Sequence, residues 1–351
     1  MKIGIIGYAQ SGRSTLYRAA SRGMAKGEMT AVPVPDPRFT AIVDQVKPKK
    51  ATPATVILQD EFEPISSSGK ALSQKLLDGL RKTDLLLHVV RAFDNPSSPF
   101  HAEIDPIRDL EAVEVELVLA DLQIVENRLE KLKKSLTVKN PGSADYMEHA
   151  LFSKLLPELE NGIPIRRVDL SDDEFNLSKN YQFVSGKQMV VAFNVDESEI
   201  LNLSEKISSR CESLHENGTP ALAICASVEE EIAQLDAADQ PEFLESLGLT
   251  ESASDRLIRA VYESLGLITF FTAGDNDTRA WPLRKGSSAL KAAGTIHNDI
   301  AKGFIRAEIV HYKDYEKSGS LDLAYSQGKM SLEGKDYLIQ DGDLIHIRNK
   351  S

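Results

Sequence analysis

The sequence predicts an α/β domain built on a parallel sheet, interrupted by an α-helical coiled-coil hairpin and followed by a small α+β domain. Three observations carry this reading. Apolar, strand-like runs alternate with helix-like stretches over residues 1–107 and again over 180–265, the pattern of a parallel sheet flanked by helices. A heptad seam occupies the helical stretch between them, 108–179. From 266 to 351 short strands gather around one helix and the alternation stops.

The first element carries the most chemistry. KIGII (2–6) reads as a buried strand and leads into Gly7-Tyr8-Ala9-Gln10-Ser11-Gly12-Arg13-Ser14-Thr15, followed by the helix-prone LYRAA. This fits G-x-x-x-x-G-K-[ST] everywhere except at the Lys, which is Arg13. A phosphate chain needs convergent donors with no side chains in the way. Gly7 and Gly12 permit the curled backbone, the N–H groups from Gln10 through Ser14 point inward, and the helix beginning near Arg13 adds its positive end. Ser14 would ligate Mg²⁺ through its hydroxyl. Arg13 keeps the charge of the usual Lys but is planar and forked, so the exchange changes a geometrically demanding site. The plain alternative is a tight strand-to-helix turn that binds nothing.

AVPVPDPRF (31–39) is proline-rich and takes an extended path, 39–46 is a short amphipathic piece, and TVIL (55–58) is a strand ending just before Asp60. A carboxylate at that place in a P-loop protein holds the Mg²⁺ shell; a loop-starting Asp is the equal alternative. Residues 71–80 read as a helix and LLLHVV (85–90) as a buried strand, with His88 a packed core residue rather than a base. Val115, Val118, Leu122, Val125, Leu129, Leu132 and Leu136 then alternate three and four apart. Asn140-Pro141-Gly142-Ser143 breaks that helix, and Met147, Leu151, Leu155 and Leu159 begin a second stripe, so the two helices form a hairpin. It is a solvated arm or a docking surface; heptads specify packing, not partners. Ser171 to Glu174 has capping-box spacing.

QMVVAF (188–193) and PALAIC (220–225) return to strand character and lead into Asn194-Val195-Asp196-Glu197 and Ala226-Ser227. A P-loop GTPase places its base-reading loops there. Guanine readers use Asn-Lys-x-Asp, whose Asp accepts from N1–H and the 2-amino group while the Lys stem covers the base. Val195 replaces that Lys and Glu197 that Asp, which compromises a guanine clamp and makes adenine at least as suitable. A capping Asn followed by acidic surface residues is the alternative. In the last domain, 268–273, 304–310, 337–339 and 344–347 read as strands and 289–301 as a helix. Arg279, Arg284, Lys285, Lys291, Lys302 and Arg306 give it a basic side, either a solvated face or an RNA-contacting one.

The net charge of −12 argues against a surface that is wholly a nucleic-acid footprint, and no sequence-specific DNA binding is expected. Only Cys211 and Cys225 are present, so no disulfide framework holds the fold. No secretory leader and no membrane-length apolar run is seen, and a cytoplasmic location is expected.

Ordered segments along the whole chain resemble one family: PVPDPR (33–38), HVVR (88–91), LVLADL (117–122), NVDE (194–197), FTAG (271–274), RAW (279–281), GTIHNDIAKGFIRA (294–307), and the stretches 333–337 and 341–343. They are similar to the Obg-like ATPases of the YchF type. That resemblance implies a P-loop GTPase-like domain, a coiled-coil insertion and a C-terminal TGS-like β-grasp domain. It also implies hydrolysis of ATP in preference to GTP with Mg²⁺, and a partner in the ribosome or ribosomal RNA. The positions carried over are Gly7, Gly12, Ser14 and Thr15 for phosphates and metal, Asp60 for the metal shell, and Asn194 and Glu197 for the base. Three departures accompany it. Arg13 replaces Lys, Glu63 stands where the family's D-x-x-G switch has Gly, and Thr30 is a weak stand-in for the Mg²⁺-binding Thr of the first switch. The sequence therefore predicts a nucleoside triphosphatase with slow or impaired hydrolysis. The rival readings are an active ATPase in which Arg13 serves as the Lys, and a nucleotide-independent scaffold that binds ribosome or RNA through the hairpin and the TGS-like domain.

Overall fold

The structure is a computed structural model that describes residues 1–25, 27–65, 72–100, 102–135 and 143–350. Among them the strands are β1 (Lys2–Ile6), β2 (Met29–Pro33), β3 (Ala51–Thr52), β4 (Thr55–Gln59), β5 (Leu85–Ala92), β6 (Gln188–Val195), β7 (Ala221–Ile224), β8 (Leu267–Thr272), β9 (Thr278–Arg284), β10 (Phe304–His311), β11 (Ser331–Glu333) and β12 (Asp343–Asn349). The first five longer helices are α1 (Arg13–Ala20), α2 (Pro37–Val46), α3 (Gln74–Arg81), α4 (Pro106–Ser135) and α5 (Ala144–Glu160). The chain divides into two units, Met1–Val32 with Ile57–Val261, and Pro33–Val56 with Tyr262–Ser351.

The first unit holds a six-stranded sheet in the order β2-β4-β1-β5-β6-β7. β1 runs parallel to β4 and β5, β5 to β6, and β6 to β7. β5 and β6 are buried over nearly their whole length, as their unbroken apolar runs require of parallel strands covered on both faces. His88 is sealed inside β5 and lacks a partner at Nδ1; burial, helped by Arg166, drives its pKa down to about 3, so it is a neutral core residue.

Leu110, Val113 and Leu117 of α4 pack on the sheet, while Val118, Val125, Leu129 and Leu132 pack with Leu151, Phe152, Leu155 and Leu159 of α5. The helices are antiparallel: Arg128 bonds Glu148 near the start of α5, whereas Glu114 near the start of α4 bonds Arg166 beyond its end. Two expected seam members fall outside it. Val115 is 49 % exposed, because the first turns of α4 rest on the sheet and the seam starts only at Val118, and Met147, in the first turn of α5, is 45 % exposed. Leu136 and the turn 140–142 lie outside the described residues, as does residue 71 before α3. The capping box at Ser171 and Glu174 opens the helix Asp172–Ser178 as expected. Asp121, fully buried on α4, accepts from the Val184 and Ser185 N–H groups at 3.0 and 2.6 Å and fixes the hairpin root to the approach to β6.

The second unit holds a mixed sheet in the order β11-β10-β12-β8-β9-β3. β10 is antiparallel to β11 and β12, β12 is parallel to β8, and β8 is antiparallel to β9. Its core joins Phe270, Ala292, Ala293, Ala307 and Ile345. The segment Pro33–Val56, expected in the first domain, belongs here. Phe39 and Ile42 give α2 an apolar face, Phe39 stacks on Phe271 at 6.2 Å, and β3 adds in parallel to β9. Two local expectations change. The helix expected over 289–301 is split into Ala289–Ile296 and Asn298–Lys302 by the extended His297, whose ring caps the second piece. Residues 337–339 form no strand and make a single bridge, Ser288 to Leu338, because turns on either side leave room for no longer ladder. No helix among the described residues is long and apolar enough to cross a membrane.

Candidate functional site

The loop after β1 sits at the carboxyl end of the parallel sheet, where open α/β sheets bind ligands. Gly7 has φ 152°, and a Cβ there would lie 2.4 Å from the Val89 carbonyl oxygen of β5. Gln10 (φ 62°) and Gly12 (φ 90°) turn the chain through the left-handed region so that α1 begins at Arg13. No side chain caps α1. Its first N–H groups therefore have no acceptor from the helix and present a positive end, the arrangement that takes an anion. Ser11 is buried with its hydroxyl unpartnered, and its N–H donates to the Tyr8 carbonyl at 3.3 Å, so this residue shapes the loop from inside.

Asn194, at the end of β6, locks this loop to the next one. Its Nδ2 donates to the Ser11 carbonyl at 3.1 Å and its Oδ1 accepts from the Ala226 N–H at 2.9 Å. A Cβ on Gly12 would lie 2.1 Å from that Nδ2, so only glycine fits. A cleft of about 450 Å³ opens beside this junction. Gln10, Gly12 and Thr15 line it from the loop and α1, Asn194 and Glu197 from the base loop, and Ala226 and Ser227 from the start of the helix Ala226–Gln234. Phe93, Asp94, Asn95 and Ser98 form a further wall that sequence reasoning missed. The one signal for it was Arg91, a cation ending an apolar strand, where burial demands partners.

Ser14 and Asp60, the two residues assigned to a metal shell from the sequence, lie together: the Ser14 hydroxyl donates to Asp60 Oδ2 at 2.6 Å. Asp60 Oδ1 is buried with no hydrogen-bond partner. A hydroxyl and an orphaned carboxylate oxygen fit a hard divalent cation such as Mg²⁺, which fills its remaining positions with water and phosphate oxygens.

Arg13 turns toward the segment after Asp60. Its Nη1 donates to the Phe62 carbonyl at 3.2 Å; burial lowers its pKa against the pull of Asp60, and the guanidinium stays charged. The described part of that segment, residues 61–65, is held at three points. The Phe62 ring is buried between Gly4 and Gly79, whose absent side chains make its space. The Glu63 carboxylate takes the hydroxyl of Ser73, the residue that caps α3, and the Ile65 N–H donates to the Gly7 carbonyl at 3.0 Å. The Thr30 hydroxyl bonds Tyr17 at 2.8 Å.

Comparison with known proteins matches this geometry to one family. The YchF-GTPase_C family model, described as a protein of unknown function (DUF933), matches residues 267–350. The Bacillus subtilis protein named ribosome-binding ATPase YchF is 36 % identical over 98 % of this chain and 98 % of its own length. The chain belongs to the YchF family. The Haemophilus influenzae YchF, also named a ribosome-binding ATPase, is 37 % identical over 99 % of this chain and 98 % of its own. The Schizosaccharomyces pombe YchF GTPase structure superposes with a TM-score of 0.88 at 30 % identity, over 99 % and 97 % of the two chains. A GTP-binding protein from Pyrococcus horikoshii shares the fold, with a TM-score of 0.61 at 20 % identity and full coverage of both chains. The fold is thus that of YchF: a P-loop NTPase domain with a helical insertion and a C-terminal domain.

Proposed function

We propose that this chain is a ribosome-associated nucleotide-binding protein that takes ATP in preference to GTP, together with Mg²⁺, and hydrolyses it slowly. The observation that carries the reading is one uncapped loop-to-helix turn that lines the cleft beside Asn194 through Gln10, Gly12 and Thr15 and that also carries Ser14, which bonds Asp60. The loop N–H groups hold the polyphosphate, Ser14 and Asp60 hold Mg²⁺, and Mg²⁺ supplies charge neutralisation between the phosphates. Relatives over the full length are named ribosome-binding ATPases, which supports both the ribosomal partner and the ATPase class, and a ribosomal partner implies the cytoplasm.

Base preference follows from what a guanine clamp lacks here. Val195 has no ammonium stem to lay over a base, and the longer, exposed Glu197 is set at the cleft rim. Slow hydrolysis follows from the fixed segment after Asp60. A switch responds to a γ-phosphate only if it contacts the two nucleotide states differently. Here Phe62 is wedged, Glu63 is bonded to Ser73, and Arg13 spends a donor on the Phe62 carbonyl.

Calorimetry of the full chain with ATP and with GTP in Mg²⁺, followed by single-turnover phosphate release, tests this. The expected result is tighter binding of ATP and release far below the ~1–100 s⁻¹ of kinases. Absence of binding by either nucleotide refutes the site, and release within that kinase range refutes the slow step.

A further inference from the structure

Two buried side chains at matched positions on neighbouring strands hold the phosphate loop. Asn194 on β6 is one; its register partner on β5 is Arg91. Asn194 donates to the Ser11 carbonyl, and Arg91 Nη1 donates to the carbonyl just before it, that of Gln10, at 3.1 Å. Each residue makes a second bond on the base side of the cleft. Asn194 accepts from the Ala226 N–H, and Arg91 Nε donates to the Phe93 carbonyl at 3.1 Å.

The rest of the Arg91 environment is built for a fork rather than a point charge. The residue is 1 % exposed. Its guanidinium carbon lies 4.3 Å from the centre of the Phe93 ring and 5.0 Å from that of Phe100, so the cation is held over two aromatic rings. Gln10 is a non-glycine residue at φ 62°, a backbone state that persists only where its surroundings hold it. Fixing the Gln10 and Ser11 carbonyls fixes the planes of two successive peptides of the loop. Phe93 is itself a wall of the cleft.

We infer that Arg91 is a positioning residue that ties the phosphate loop to the aromatic wall of the base cleft, so that the triphosphate and the base are gripped as one unit. The inference rests on the nucleotide reading proposed above. Lys at this position would keep the charge but could serve neither both carbonyls nor both rings. A guanidinium that merely filled space would, on replacement, affect every ligand of the site alike.

The test compares ATP with inorganic tripolyphosphate, which carries no base, by calorimetry of the full chain, with thermal melts to establish folding. Arg91→Lys is expected to weaken ATP by about tenfold or more and tripolyphosphate by less, so that the ratio of the two affinities falls. Phe93→Ala, which leaves Arg91 in place but removes the nearer of its two rings, is expected to weaken tripolyphosphate by about threefold, although that ligand carries no base to meet the wall. Equal loss of both ligands in Arg91→Lys, or no loss, overturns the inference. So does unchanged tripolyphosphate affinity in Phe93→Ala, which alone decides the matter if Arg91→Lys does not fold. Wild-type protein that binds neither ligand instead defeats the underlying nucleotide reading.

Discussion

Replacing Gly79 with Ala drives a methyl group into the ring of Phe62. The new Cβ would lie 2.8 Å from Cε1 and 3.0 Å from Cδ1 of that ring, whose Cε2 already fills the space a Gly4 side chain would take, 3.1 Å from the position of a Cβ there. Gly79 lies inside α3, where Ala is intrinsically favoured by about 1 kcal/mol. Overpacking costs about 1–3 kcal/mol. Gly79→Ala should therefore be neutral to destabilising by about 2 kcal/mol, the reverse of the usual helix substitution. Phe62→Ala alone should cost about 3–5 kcal/mol. With the ring gone the methyl meets open space, so Gly79→Ala should then stabilise by about 1 kcal/mol. The two changes are thus coupled by about 1–3 kcal/mol. Native-state hydrogen exchange of β1 and α3 in the four proteins measures it; fluorescence of the single Trp281 would report the other unit. Stabilisation by Gly79→Ala in both backgrounds would refute the wedged position of Phe62, and with it the reason given for a fixed switch segment.

Three further outcomes are expected. Ser14→Ala should abolish the strengthening of ATP binding by Mg²⁺, a loss of about tenfold, read by calorimetry with and without the metal; equal Mg²⁺ dependence in the variant would exclude Ser14 as a ligand. Gly12→Ala places a side chain at φ 90° and 2.1 Å from Asn194 Nδ2, and should weaken ATP by more than about tenfold while circular dichroism shows retained helix. Burial raises the Asp121 carboxyl to about 6 from its ordinary 3.8. The folded chain then holds that proton more tightly than the unfolded one, so the stabilisation is full below about pH 4 and is lost as pH rises through 6. At ~1.4 kcal/mol per unit this amounts to about 3 kcal/mol. Denaturant unfolding should show wild type gaining that much relative to Asp121→Asn on acidification from about pH 7.5 to 4, and parallel pH profiles would disprove it.

Contiguous signals were legible in the sequence. The strand, glycine loop and first helix lie within one stretch, so spacing alone placed Gly7, Gly12 and Ser14, and the capping box at Ser171 opened its helix. The failures share a cause. Val115 fits the heptad as well as Val118, and only the resting of α4 on the sheet decides which of them is covered. β3 is two residues long and pairs with a strand from the far end of the chain, so no local pattern could assign Pro33–Val56 to the second unit. Residues 337–339 have strand composition, but the flanking turns deny them a ladder. Phe62 looks like one apolar residue in an acidic loop, and the glycines that make its hole lie on two other elements.

The sequence by itself determined the fold class and the strand, glycine loop and helix that open the chain, because each depends on residue types at short, fixed spacing. Tertiary structure alone decided what Arg13 and Arg91 do. Both are cations whose role depends on which carbonyl oxygen lies within reach. Arg13 finds that of Phe62, and Arg91 finds those of Gln10 and Phe93. Phe93 is a near neighbour of Arg91 in the chain, but the Phe62 and Gln10 acceptors come from segments brought together by strand register and core packing, and a hydrogen bond worth having forms only at the distance and angle that this packing sets.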